Sequence, residues 1–133
     1  MSRENVELVK LGFEAFERED WELLQGNAHA DLVIAQPPEV PDAKTYQGAN
    51  AFADAAADWP SEWEDFELEL VELIDVDSER VISVTRHRGR GAESGIEMDF
   101  TVAYVHTLRD EKLARLDMFF SRAGALEAVG RPE

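Results

Sequence analysis

Thr85, His87, Tyr104 and Met118 fall at alternate positions of strand-like segments, and of the four only an imidazole and a phenol can move or hold a proton. Ser94-Gly95 between two alternating runs suits a two-residue hairpin turn. That turn sets Glu93 opposite Ile96, His87 opposite Val102 and Thr85 opposite Tyr104, and opposed residues share a face. A second turn centred on Glu111 sets Tyr104 opposite Met118 and Val102 opposite Phe120. The inward row is then Thr85, Tyr104 and Met118, with His87 diagonal to Tyr104 at about 7–8 Å between Cα atoms. At that spacing a neutral His87 can act as general base while Tyr104 donates a hydrogen bond to a developing enolate or alkoxide. The alternative is a pair of buried polar groups, satisfied by each other or by water, in an apolar pocket. The residues alone leave both readings open.

Other chemistry is poorly provided for. His29, expected in a turn before the first strand, and His106, near the far end of its own, read as structural. Three histidines on separate elements make no metal site. Arg115 and Asp117 tempt as a catalytic pair, but their parity puts them on the outer face. Arg86, Arg88 and Arg90 share that face, with Arg90 expected opposite Asp99, and read as a stripe that fixes strand register. The sequence has no Gly-rich phosphate loop, no Ser-His-Asp order and no zinc signature, so no cofactor is expected.

The elements that must hold these groups follow from periodicity. Val6, Val9, Phe13 and Phe16 recur at helical spacing from Glu4 to Arg18. Asp20 can cap a second short helix that Gly26-Asn27 ends. Asp31 to Gln36 reads as a strand stopped by Pro37-Pro38, and the proline-rich stretch to Gly48 as a surface loop. Alanine-rich Asn50 to Trp59 predicts a third helix. From Phe66 onward alternation takes over, and four strands in a row make a meander: the first from Phe66, then Val81 to Arg90, Ile96 to Leu108 and Leu113 to Ser121. Ala123 to Val129 adds a closing helix. Trp21, Trp59 and Trp63 are aromatic anchors for this packing.

Residues 1–133 are expected to form one α+β domain, since 44% hydrophobic residues supply one core and leave no room for a second. The 29 acidic residues outnumber 13 basic ones, a formal charge of −16 that repels phosphate backbones and anionic headgroups. Neither nucleic acid nor membrane is an expected partner. There is no cysteine and no run near the roughly 20 apolar residues that span a bilayer, so a cytoplasmic location is the expectation.

Four local stretches, in this order, carry a family resemblance: Phe13-Glu14-Ala15-Phe16-Glu17-Arg18-Glu19-Asp20-Trp21; Tyr46-Gln47-Gly48; Arg88-Gly89-Arg90-Gly91 with Ser94-Gly95; and Leu108-Arg109-Asp110 before Lys112-Leu113. With the element order they resemble the SnoaL-like group of the nuclear-transport-factor-2-like superfamily over nearly the whole chain. The resemblance implies a cone, a curved antiparallel sheet wrapped around N-terminal helices, and a homodimer that meets through the outer sheet face. It also implies a small apolar ligand inside, lined here by Phe13, Thr85, His87, Phe100, Val102, Tyr104, Leu116, Met118 and Phe120.

Family chemistry carries over badly. Where limonene-type epoxide hydrolases have arginine, aspartate and aspartate, this chain has Thr85, His87 and Met118. The aspartate of polyketide cyclases also falls on Met118. The tyrosine, base and protonated aspartate of ketosteroid isomerases fall on Gly12, Gln36 and Tyr104. Three functions stay open: binding of a small apolar molecule, isomerase, cyclase or lyase chemistry through His87 and Tyr104, and non-catalytic dimerisation.

Overall fold

Alternating apolar residues build the four long strands, and helical spacing of valine and phenylalanine builds the helix they wrap. In chain order, α1 (Ser2–Glu17) and α2 (Trp21–Gly26) precede β1 (Ala28–Ala35) and β2 (Thr45–Gln47). Then come β3 (Trp63–Asp75), β4 (Arg80–Gly91), β5 (Glu97–Arg109), β6 (Lys112–Phe119) and α3 (Arg122–Ala128). The computed structural model describes residues 2–37, 43–48, 50–51, 54–55, 63–91 and 93–130. Most of the expected third helix lies outside these residues; Ala51, Asp54 and Ala55 are helical. Trp59 and the Trp63 side chain also lie outside them.

The local signals act as chemistry predicts. The Asp20 carboxylate accepts the Leu23 N–H at 3.2 Å and caps α2. The Ser121 hydroxyl accepts the Gly124 N–H at 2.9 Å and caps α3. The sheet order is β2-β1-β6-β5-β4-β3, antiparallel except where β1 runs parallel to β6. This is an α+β fold with a mixed, mostly antiparallel sheet.

Three expectations need correction. Thr45–Gln47, read as loop, forms the edge strand β2 against β1; three residues are too few to show a period. His29 lies inside β1, not in a turn before it. The β4–β5 register differs by two: His87 faces Phe100, Thr85 faces Val102 and Ser83 faces Tyr104. The cause is a connection longer than two residues between Gly91 and Ile96, closed by Gly91 N–H to Ile96 O at 3.0 Å and Gly95 N–H to Gly91 O at 2.9 Å. A shift of two keeps every side chain on its expected face. The β5–β6 pairing of Tyr104 with Met118 is as expected.

Apolar packing lies on both faces. On the inner face Val9 of α1 packs with Val81 and Leu108. On the outer face Ala125 and Leu126 of α3 cover Ile82, Val84, Ala103 and Val105. The remaining outer face carries charge: Arg86 donates to Asp99 at 2.8 Å, and Arg90 to Asp65 at 2.7 Å. Arg88, which was expected two places further along, is the residue opposite Asp99. The surface expected to meet a second copy is thus part helix and part arginine–carboxylate lattice.

Candidate functional site

Helix α1 lies over the Leu108 end of β5, and there the inner face does not close. A cavity of about 160 Å³ remains between helix and sheet. From α1 it is lined by Val9, Gly12, Phe13 and Phe16; from β5 by Tyr104, His106 and Leu108; from β6 by Leu113, Leu116 and Met118. Ile34 of β1 and Leu24 of α2 add to the apolar wall. Asn27, Gln36, Tyr46 and Glu111 contribute polar groups. For scale, an enclosed apolar space of roughly 150 Å³ holds a benzene molecule.

Phe13, Tyr104, Leu116 and Met118, all expected at the site, line this cavity. Thr85, His87, Phe100, Val102 and Phe120 do not. Thr85, His87 and Val102 share the inner face but are sealed in packing further along it. Phe120 lies past the end of β6, its ring 6.2 Å from that of Phe100 and partly exposed. The Thr85 hydroxyl donates to the Val102 carbonyl at 2.8 Å. Its one proton is thereby used, so the 3.0 Å contact with His87 Nε2 is a bond donated by the imidazole. The His87 ring neighbours those of Phe100 and Tyr104 in tilted contacts, with ring centroids at 5.5 and 6.4 Å. Burial pushes its pKa down to about 4, so the ring is neutral near pH 7.

His106 was read as structural, yet it forms part of the cavity wall beside Tyr104, ring centroids 6.1 Å apart. Phe13 meets it edge-on at 5.9 Å. Its Nε2 lies 2.8 Å from the buried Ser83 hydroxyl, and burial holds its pKa at about 3. Burial raises the Tyr104 pKa, so the phenol keeps its proton. The signal in the sequence was parity: His106 follows Tyr104 by two and faces the same way. Among the described residues no cluster of three metal-ligating side chains occurs, and no helix is long and apolar enough to cross a membrane.

A family model for the SnoaL-like domain matches residues 9–116, from the middle of α1 to the cavity side of β6. The chain belongs to the SnoaL-like family. No curated protein matches it. Among solved structures, this SnoaL-like chain is similar to an NTF2-like protein from Burkholderia xenovorans, at 26% identity over 97% of this chain and 98% of the other, with a TM-score of 0.76. It is also similar to Bal32a from a soil-derived mobile gene cassette, at 20% identity over 98% of each chain and a TM-score of 0.79. A third is TerC co-crystallised with polyporic acid, at 19% identity over 96% and 98%, with a TM-score of 0.74. These likenesses establish the NTF2-like fold. Gly12, Gln36 and Tyr104, onto which the resemblance carried the isomerase residues, all border the cavity, whereas of Thr85, His87 and Met118 only Met118 does.

Proposed function

We propose that this SnoaL-like protein binds a small, mostly apolar molecule in the cavity between α1 and the inner sheet face. The observation that supports this most is the cavity itself, an internal space of about 160 Å³ walled by aliphatic and aromatic side chains with few polar atoms. Such walls gain by exchanging cavity water for apolar ligand surface, at roughly 25 cal/mol per Å² buried. The few polar groups then orient the guest. TerC, crystallised with polyporic acid, is a precedent at the level of the fold.

The test is a titration of the full chain with one-ring probes such as cumene and acetophenone, followed through the methyl resonances of Leu113 and Leu116, which line the same space. Saturable shifts are expected in the wild type. They are expected to vanish in Met118→Trp, whose indole fills the space. No saturable shift with any probe, or undiminished binding in Met118→Trp, would remove the proposal.

A further inference from the structure

The polar part of the cavity wall is more specific than an apolar guest requires. Ser83 is fully buried, and among the described residues its hydroxyl has one hydrogen-bond partner, His106 Nε2 at 2.8 Å. That contact can run in two directions. If the imidazole donates, the serine proton is left inside the protein with no acceptor, a desolvated donor of the kind folded chains avoid. If the serine donates, both atoms are satisfied and the imidazole proton must reside on Nδ1. The second arrangement leaves no donor orphaned beneath the sheet. It turns His106 into a donor whose remaining N–H belongs to a ring of the cavity wall.

Tyr104 is the neighbouring donor on that wall. No described residue hydrogen-bonds its hydroxyl, and its ring centroid lies 6.1 Å from that of His106. Two neutral donors on one strand, two residues apart, therefore face the same apolar space. A hydrocarbon would leave both without water and without an acceptor. A carboxylate would supply acceptors but would have to bring a charge into an apolar wall past Glu111, on a chain of net charge −16.

We propose that Tyr104 and His106 form a two-donor seat for one uncharged acceptor oxygen, of the ketone, aldehyde or ester type, and that Ser83 is a positioning residue that holds His106 in its Nδ1–H form. This rests on the cavity being a binding site. It adds which end of the guest is recognised and which buried residue sets the recognition.

The test uses a matched pair of probes on the full chain: acetophenone, and cumene as its isostere without the acceptor. With no seat, the ketone should bind more weakly than cumene, because its oxygen loses water and gains nothing. With the seat, acetophenone is expected to bind about tenfold more tightly than cumene, the size of one well-made hydrogen bond. Tyr104→Phe is expected to reverse the preference, weakening acetophenone and tightening cumene, which then no longer covers an unpaired hydroxyl. Ser83→Ala, at a residue behind the cavity wall, should shrink the preference. The ¹⁵N shifts of His106 in the unaltered protein give a reading that needs no substitution: a pyrrole-type Nδ1 and a pyridine-type Nε2 are expected. Cumene binding as tightly as acetophenone in the wild type would overturn the oxygen seat and leave the cavity standing. Failure of both probes to bind would remove the cavity reading along with the seat. A protonated Nε2 would overturn the role of Ser83.

Discussion

His87 and His106 are both held as neutral rings, and the energetic consequence runs in one direction. Burial lowers their pKa values from an ordinary 6.5 to about 4 and about 3. In the unfolded chain both would take up a proton as pH falls through 6.5, while the folded chain resists until it reaches those lower values. The unfolded state therefore binds more protons over that interval, and folding stability must drop as pH falls. The contribution is complete above about pH 6.5, the ordinary imidazole value of the unfolded chain, and is lost on the way down to the folded values. Urea midpoints measured from pH 7.5 to 4.5 are expected to fall more steeply in the wild type than in a His87→Gln, His106→Gln double variant. Parallel pH profiles for the two proteins would show that the rings titrate alike folded and unfolded. The two histidines also show what could be read at this scale from sequence. Parity put both on the inner face, because period two needs no knowledge of the partner strand. Which of them meets the cavity depends on where α1 lies across the sheet. That is fixed by Val9 packing with Val81 and Leu108, a contact between distant parts of the chain that no local pattern records.

Turns set how the strands meet, and two of them behaved differently as sequence signals. Asp110 and Glu111 both adopt positive φ, 54° and 62°, the geometry of a tight two-residue hairpin between β5 and β6. Aspartate tolerates this backbone through its short polar side chain, whereas glutamate has no such aid. Glu111→Gly should remove roughly 1–2 kcal/mol of left-handed strain and return about 0.4–1 kcal/mol through a looser unfolded chain. The expected net gain is about 0.5–1 kcal/mol in chemical denaturation. Asp110→Gly should gain less, and equal gains at the two positions would contradict this account of the turn. The turn at Asp110-Glu111 was legible, but it pairs Arg109 with Lys112, and the expected pairing of Tyr104 with Met118 is reached only through a register shift between Thr107 and Leu108. Ser94-Gly95 offered the same apparent signal, but the connection from Gly91 to Ile96 is longer than two residues, and it shifts the register by two without disturbing either face. β2 and the parallel pairing of β1 with β6 escaped for a related reason. Three residues have no measurable period, and strand direction depends on a neighbour more than sixty residues away.

Over the whole molecule, the α+β cone was legible because element order and alternation agree from end to end, while the guest was not, because no single segment encloses the space. The charge does bear on it. A formal −16 spread over 133 residues creates a field that a negatively charged probe must climb before it reaches the cavity mouth, where Glu111 stands. Inside, a second barrier acts independently of that field, since an apolar wall cannot replace the hydration of a carboxylate. Salt separates the two. Screening shortens the reach of the surface field from about 30 Å at 0.01 M ionic strength to about 3 Å at 1 M, but leaves the desolvation cost of the buried end in place. Benzoate, close to acetophenone in shape, is therefore expected to bind far more weakly than the ketone at low salt. At high salt it should recover part of the gap and never close it, while acetophenone affinity changes little. A gap that salt abolishes would mean the probe sits at the surface, and a gap that salt does not touch would mean the field of the chain has no part in selecting the guest.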